Sequence, residues 1–208
     1  MVLLQVLPSF PSYPSDFAKI SAEIATYLSS ADPPVPYVAI EHFGSTSIPG
    51  LAAKPIIDIV IIVCNKPTAE AARDALMWQP SPTNYYKCIG DGGIRGRISM
   101  KHSDRELKPE RNVYVIAEDV VEGMLSVKGY RDLRACLMKE ENRDLFDEYA
   151  ECKLKMVEEG VSDNVEYGQR KNAVVRKVLQ RAGWSEKEID MKEGLDTRIA
   201  GEWAEATY

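Results

Sequence analysis

The sequence predicts the α+β class, with a mixed β-sheet flanked by helices and a helical C-terminal half. Three observations support this prediction. Short β-branched runs occur up to residue 117, apolar residues recur at spacings of three and four from residue 124 onward, and one acid, Asp58, interrupts the most apolar run, 56–64. The chain has 208 residues, so we expect a single domain over 1–208 whose core needs no disulfide staples.

The first half of the chain alternates strand patterns with turn residues. Pro and Ser residues make 1–14 an irregular lead-in, and Ser15 is expected to cap the first helix. Asp91-Gly92-Gly93 is a strong turn signal. The elements predicted after the lead-in are a helix from Phe17 to Leu28, strands at 37–43 and 56–64, a helix from Thr68 to Trp78, and strands at 85–89, 94–101 and 112–117.

The remaining part, 124–208, is predicted to be mostly helical because its apolar residues follow helical spacing. Ser185 and Glu188 have the spacing of a capping box, which opens a helix. The helices predicted here are 124–139, 145–157, 167–181 and one after Ser185, with a short helix or frayed tail at 195–208.

The most informative stretch is the turn from Gly44 to Ser47. A glycine lets the backbone approach a ligand closely, and the hydroxyl and N–H groups of Ser45, Thr46 and Ser47 suit a phosphate or a carbonyl oxygen. We expect Asp58, on the next strand, to face the same pocket, where a buried carboxylate requires a cation, a substrate amine or a metal. The alternative is a capped turn with Asp58 in a structural hydrogen bond.

Basic residues are unevenly distributed in a chain whose net charge is −6. The segment 95–111 has six Lys or Arg residues against three acids, and 169–181 has five and no acid. Such clusters can create a positive face that binds the phosphates of a nucleotide or of RNA, or can be solvated surfaces without a partner. The cations predicted around the pocket or on this face are Lys54, Arg95, Arg97, Lys101, Arg170 and Lys171.

The segment Ile40-Glu41-His42-Phe43-Gly44-Ser45-Thr46-Ser47-Ile48-Pro49-Gly50-Leu51-Ala52-Ala53-Lys54-Pro55-Ile56-Ile57-Asp58-Ile59 resembles the signature of the GrpB family. Weaker resemblance continues at Tyr130–Arg134, Tyr149–Leu154 and Tyr167–Lys171, so that it covers most of 15–184. The resemblance implies a nucleotidyltransferase-like fold, sometimes fused to dephospho-CoA kinase.

The chain departs from working nucleotidyltransferases at one position. Those enzymes carry two acids at i and i+2 on one strand, and together the two acids hold the metal ions. Here the i+2 partner of Asp58 is Val60, and no clear third acid replaces it, although Glu118 and Asp119 near the end of a strand are possible substitutes. Nucleotidyl transfer with Mg²⁺ therefore becomes the second hypothesis, and a binding module that has lost its chemistry the third.

The first hypothesis follows a narrower resemblance, to GrpB-like arginine-containing cyclodipeptide synthases. It implies that the protein takes arginine from arginyl-tRNA and joins it to a second amino acid, free or as an aminoacyl-tRNA. Aminolysis of an ester needs a base, a carbonyl-oxygen donor and positioning, and no two-metal site. Asp58 would hold the arginine side chain or take an ammonium proton. For Ser45 a binding role is preferred to the role of nucleophile, because a nucleophile needs a nearby base. Substrate binding is assigned to Gly44, Thr46, Ser47, Lys54, Tyr114 and Tyr167, the two tyrosines being core residues in the alternative interpretation.

Other features narrow the class of protein. No apolar run reaches about 18 residues and no basic region precedes the N-terminal apolar stretch, so we expect neither a membrane span nor a signal peptide, and a cytoplasmic location. The four cysteines form no C-x-x-C pair, which disfavours zinc and dithiol chemistry; no metal or cofactor is expected. His42 is predicted to point to the sheet face opposite Ser45, and His102 to be a solvated loop residue.

Overall fold

The computed structural model describes residues 12–79, 85–104 and 106–196. Five strands form one mixed sheet in the order β1-β2-β5-β4-β3, in which only β2 and β5 are parallel. The strands are β1 Ala39–Phe43, β2 Ile56–Val63, β3 Tyr86–Cys88, β4 Arg97–His102 and β5 Glu110–Ala117. A five-stranded mixed sheet flanked by helices confirms the predicted α+β class.

Six helices of the described part of the chain accompany this sheet. Their ranges are α1 Tyr13–Ser29, α2 Lys66–Met77, α3 Val121–Leu137, α4 Arg143–Glu158, α5 Asn164–Arg181 and α6 Glu186–Asp196, with 3₁₀ turns at Ser45–Ser47 and Glu140–Asn142. The last four helices confirm that the second half is mostly helical. Residues 1–11 of the predicted lead-in and 197–208 of the predicted tail lie outside the described residues.

One face of the sheet is covered by α1 and α2. The odd-numbered residues of β2, with Val113 and Val115 of β5, pack there against apolar residues of the two helices such as Ile24, Leu28 and Leu76. The period of two in a strand sends the even-numbered residues to the other face. The face that holds Asp58 is therefore opposite the larger part of the core.

The second face is covered only in part. Helix α3 packs Val127 against Val60 and Ile62, at the ends of β2 and β5 that lie nearest to α3. A separate apolar cluster joins α4 and α5 to the loop after the 3₁₀ turn through Ile48, Leu51, Tyr149 and Val178, among others. The part of the face that begins at Asp58 is left open between these two clusters.

Most element boundaries differ from the sequence prediction by one to three residues, and four of these differences have a clear local cause or consequence. Helix α1 begins at Tyr13, within the range predicted as lead-in, and Ser15 bonds the Ser12 carbonyl inside the helix instead of capping it. Helix α2 is capped by Asn65, whose side chain accepts the N–H of Thr68, the predicted cap. Strand β4 begins at Arg97, not 94, because Gly92, Gly93 and Gly96 have positive φ and extend the turn. Helix α5 begins at 164, so Tyr167 and Lys171 lie one helical turn apart on it.

The capping box at the start of α6 is confirmed. The backbone N–H of Ser185 donates to the Glu188 carboxylate, and the N–H of Glu188 donates to Oγ of Ser185. Among the described residues, no helix combines the length and apolar character that a membrane span requires.

Candidate functional site

Asp58 lies in β2 at the edge of the open part of the sheet face. Its neighbour across the parallel ladder is Asn112 of β5, whose side-chain amide donates to Oδ1 at 2.8 Å. Two residues further along β5, the hydroxyl of Tyr114 donates to the same oxygen at 3.5 Å. Both contacts follow from register and alternation, because 58, 112 and 114 share one face. Within the described residues, the carboxylate is thus held by neutral donors, and no salt bridge to it is formed.

The charge state of Asp58 is set by two opposing effects. Burial raises the pKa of the carboxyl, since it disfavours the charged form. The hydrogen bonds from Asn112 and Tyr114, and the positive charges of Lys171 and Arg97, act in the opposite direction. A cationic ligand group that contacts Asp58 would add to the second effect and favour the ionised carboxylate.

Gly44 lies directly against this carboxylate. Its φ is +71°, and a Cβ built on it would be only 2.3 Å from Oδ2 of Asp58. Only glycine combines the left-handed backbone with such a close approach. The glycine that the sequence suggested for ligand approach therefore makes room first for Asp58 itself.

The three hydroxyls of the turn have different roles. Thr46 donates to the carbonyl of Ile56 at 3.0 Å and contacts Nε2 of His42, and Ser47 donates to the Gly44 carbonyl at 2.7 Å. The N–H of Ser47 is also bonded within the turn. Thr46 and Ser47 thus stabilise the turn, and Thr46 also lines the cavity above Asp58; substrate binding by these two residues stays a prediction. Ser45 is different, because its Oγ accepts a hydrogen bond from Nζ of Lys153 at 2.8 Å.

Four basic side chains lie around the opening above Asp58. Nζ of Lys54 is 4.0 Å and Nζ of Lys171 is 4.9 Å from the ring centre of Tyr167, so the two cations share one aromatic ring. Burial and the neighbouring charges of Lys171 and Lys101 lower the pKa of Lys54 to about 8, although Asp58 opposes that shift. Lys101 projects from β4 at the position paired with Asn112.

Arg97 is the fourth cation and is held in place by backbone and ring contacts. Its Nε donates to the Asp91 carbonyl and its Nη2 to the Gly92 carbonyl, both at 2.9 Å. Its guanidinium carbon lies 4.8 Å from the ring centre of Tyr114. The turn signal at 91–93 therefore serves to orient this arginine.

These groups enclose one cavity of about 400 Å³, here called the Asp58 cavity. Asp58 is the single acid among its lining residues in the described part of the chain. The polar and aromatic residues that line it are Ser45, Thr46, Lys54, Asp58, Arg97, Ser99, Lys101, Asn112, Tyr114, Tyr167 and Lys171.

Other predicted site residues lie elsewhere. Arg95 lines a separate cavity between α2 and the start of α3, and Arg170 forms ion pairs with Glu159 and Glu166, so neither belongs to the Asp58 cavity. Glu118 and Asp119 follow the end of β5, roughly 20 Å along the strand from Asn112, and cannot supply a second acid.

Both histidines lie on the covered face. His42 stacks on Phe17 of α1 with ring centres 4.8 Å apart, and burial lowers its pKa to about 4. His102 is not a solvated loop residue as predicted: it ends β4, is buried, and packs edge-on against Tyr86. Neither imidazole reaches the Asp58 cavity.

Three residues of the site were missed by the sequence analysis. Asn112 and Ser99 were assigned only to strands; Ser99 is buried in the cavity wall, and its Oγ has no partner among the described residues. Lys153 was overlooked although it stands four residues after Tyr149 and three before Met156, on the buried face of α4. A lysine at an apolar position of a helix was the available signal.

The donor set does not fit a pair of divalent ions. Such ions require several carboxylates, and Asp58 is the one available while four cations surround it. Across the described residues no group of three His, Cys, Asp or Glu residues could hold a metal ion. Val60, which occupies the position of the second acid of nucleotidyltransferases, is buried beneath α3.

The fold and the site together define an α+β protein with a cation-lined cavity built around one strand acid. The family model described as GrpB protein matches residues 4–181. The chain belongs to the GrpB family, which confirms that resemblance. A GrpB protein from Enterococcus faecalis, solved by crystallography, superposes with a TM-score of 0.66 at 23% identity, covering 86% of this chain and 96% of that one, and it supports the fold.

Three bacterial proteins are similar to this chain. A UPF0157 protein of Streptomyces coelicolor is 31% identical over 147 residues, 70% of this chain and 69% of that protein. A UPF0157 protein of Halalkalibacterium halodurans is 26% identical over 174 residues, 83% of this chain and 78% of that protein. A third, from Pseudomonas aeruginosa, is 46% identical over 59 residues, which are 28% of this chain and 22% of that protein.

Proposed function

We propose that the protein is an aminoacyltransferase that takes arginine from arginyl-tRNA and joins it to a second amino acid, giving a cyclic dipeptide. The observation that carries this proposal is the charge pattern of the Asp58 cavity, with one acid on its wall and four cations around it. A ligand suited to this pattern has one positive group and several negative groups. An arginine esterified to the end of an RNA has both.

The positive group is assigned to Asp58. A guanidinium presents parallel N–H donors to a carboxylate, and such a pair is strong when shielded from water. Asn112 occupies Oδ1 of Asp58 and Gly44 leaves no Cβ in front of Oδ2, so the carboxylate is oriented before a ligand arrives. This pre-organisation reduces the cost of binding.

The negative groups are assigned to the cations. Lys54, Lys101 and Lys171 are point charges that suit the phosphates of an RNA acceptor end, while Arg97 is held rigidly over Tyr114. The unpartnered hydroxyl of Ser99 lies between Arg97 and Lys101 in β4, and a ligand oxygen would satisfy it. Arg95 and Arg170 lie outside the cavity and are not assigned a role.

The chemistry agrees with the residues present. Attack of an amine on an aminoacyl ester needs positioning and proton transfer, and no pair of metal ions. The described residues offer no support for nucleotidyl transfer, the second hypothesis. The acid that would complete a metal site is replaced by the buried Val60.

The test is direct. Purified protein is incubated with arginyl-tRNA and a mixture of other aminoacyl-tRNAs, because each of the two amide bonds forms as one ester breaks, and cyclic dipeptides are detected by mass. We expect an arginine-containing product that disappears in Asp58→Ala and is absent when lysyl-tRNA replaces arginyl-tRNA. Absence of product from the wild-type protein in the presence of a full set of aminoacyl-tRNAs would refute the proposal. Incorporation of label from a nucleoside triphosphate with Mg²⁺ would favour the second hypothesis instead.

A further inference from the structure

Lys153 and Ser45 form a contact that has no part in the charge pattern on which the proposed function rests. Nζ of Lys153, in α4, lies 2.8 Å from Oγ of Ser45 in the 3₁₀ turn, although 108 positions separate them in the chain. Ser45 lines the Asp58 cavity, whereas Lys153 lies behind it and is only 1% exposed. One end of this pair can thus meet a ligand while the other is sealed from water.

The surroundings of Lys153 favour a neutral amine. Its other contacts are the carbonyl of Ala52 at 3.1 Å and the ring of Tyr149, 3.7 Å from Nζ. No ion pair with an acid involves it among the described residues, and Lys171 lies close enough to repel a second positive charge. Burial and that repulsion hold the pKa of Lys153 well below the usual range for lysine.

We propose that Ser45 and Lys153 form a nucleophile–base pair that carries an acyl group during the reaction. This inference deepens the proposed function and rests on it for the identity of the acyl group, arginyl. A serine hydroxyl is a weak nucleophile until a neighbouring base takes its proton, and a neutral lysine at hydrogen-bond distance can do so. The pair gives Ser45 the base that no histidine of the site supplies.

The acyl transfer takes place in two steps. In the first, Oγ of Ser45 attacks the ester carbon of arginyl-tRNA while Nζ of Lys153 takes the hydroxyl proton. The bond between that carbon and the ribose oxygen breaks, and Lys153 returns the proton to the ribose, leaving arginyl-Ser45 and free tRNA. In the second, an incoming amine attacks the new ester, Lys153 takes a proton from its nitrogen, and the proton passes to Oγ of Ser45 as the amide leaves.

The second step explains why Ser45 lies beside Asp58. Gly44 touches Asp58 and is followed directly by Ser45, so the nucleophile and the proposed guanidinium anchor are held by one turn. A covalent ester keeps arginine in the cavity after its tRNA has left, which frees the cation-lined opening for a second aminoacyl group.

The pair can be tested without any assumption about the substrate. The full-length protein is treated with p-nitrophenyl acetate, and the acetylated residue is identified by peptide mass. We expect acetyl-Ser45 in the wild type and in Lys155→Met, an exposed lysine of the same helix. Acetylation of Ser45 should be absent in Ser45→Ala and slowed about 100-fold or more in Lys153→Met. Methionine fills the same buried space without a charge, and a thermal unfolding curve confirms that the variant is folded.

Two results would overturn the inference: an unlabelled Ser45 in the wild type, or equal labelling rates for Lys153→Met and wild type. If Lys153 only stabilises the packing of α4 against the loop at Ala52, the two labelling rates should be equal.

Arginyl-tRNA then separates this inference from the proposed function. After an acid quench, a mass increase of one arginyl residue on Ser45 supports both. A cyclic product formed equally well by Ser45→Ala leaves the proposed function standing and removes the covalent pair. Acetylation of Ser45 with no transfer of arginine leaves the pair as an acyl-transfer centre and refutes arginyl-tRNA as its donor.

Discussion

The side-chain amide of Asn112 donates to Oδ1 of Asp58 at 2.8 Å across two parallel strands of the sheet. This contact orients the carboxylate and favours its ionised form against the effect of burial. It therefore connects the register of the sheet to the electrostatics of the cavity.

Asn112→Leu should weaken binding of an arginyl ligand about tenfold or more, because a hydrogen bond to a charged group is worth roughly 1.5–3 kcal/mol. Loss of the donor should also raise the pKa of Asp58 further, so that binding begins at a higher pH than in the wild type. Titration of arginine methyl ester at several pH values measures both effects. An unchanged affinity and pH profile would mean that Asn112 does not act through Asp58.

Gly44→Ala should displace the Asp58 carboxylate, since the new methyl group would lie 2.3 Å from Oδ2. We expect a loss of about 1–3 kcal/mol in the free energy of unfolding together with loss of arginine binding. Gly160→Ala is the matched control: its φ of +73° is nearly the same, but nothing lies within 4 Å of the added atom. Similar binding losses in both variants would refute the steric explanation.

Lys171→Gln should reduce the salt dependence of tRNA binding, because removing one ion pair with a phosphate lowers the slope of log K against log salt by about one. Arg170→Gln is the control on the neighbouring position, where the side chain pairs with Glu159 and Glu166 outside the cavity. Filter binding of tRNA at several salt concentrations gives the slopes. Equal changes in the two variants would show that net charge alone matters.

His42 should make the protein less stable in acid. Its pKa is lowered from 6.5 to about 4 by burial, so the unfolded chain binds a proton that the folded protein does not. Stability is then retained above pH 6.5 and lost progressively as the pH falls towards 4, by up to roughly 3 kcal/mol. His42→Phe, which keeps the stacking on Phe17, should lose less of its stability between pH 7 and 4.5 in urea unfolding. Identical losses would contradict this assignment.

Some parts of the site were accessible from the sequence and others were not. The alternation within a strand is local, so the shared face of Asn112 and Tyr114 on β5 could be predicted from it. That Asp58 lies on the same face depends on the register of β2 against β5, which the sequence does not give. The contact of Lys153 with Ser45 depends on how α4 packs against the turn, which no local pattern encodes. Counting charges along the chain placed Arg170 and Lys171 on one basic surface. Neighbouring positions of a helix point about 100° apart, however, and only Lys171 lines the Asp58 cavity.

The central claim is that Asp58 holds a guanidinium, and one pair of ligands tests it most directly. Arginine methyl ester and citrulline methyl ester have nearly the same shape, but only the first is positively charged at its side chain. Calorimetric titration should show at least about tenfold tighter binding of the arginine ester to the wild type. It should also show loss of that preference in Asp58→Asn. If Asp58→Asn keeps the preference undiminished, the carboxylate is not the guanidinium site and the proposed function loses its basis.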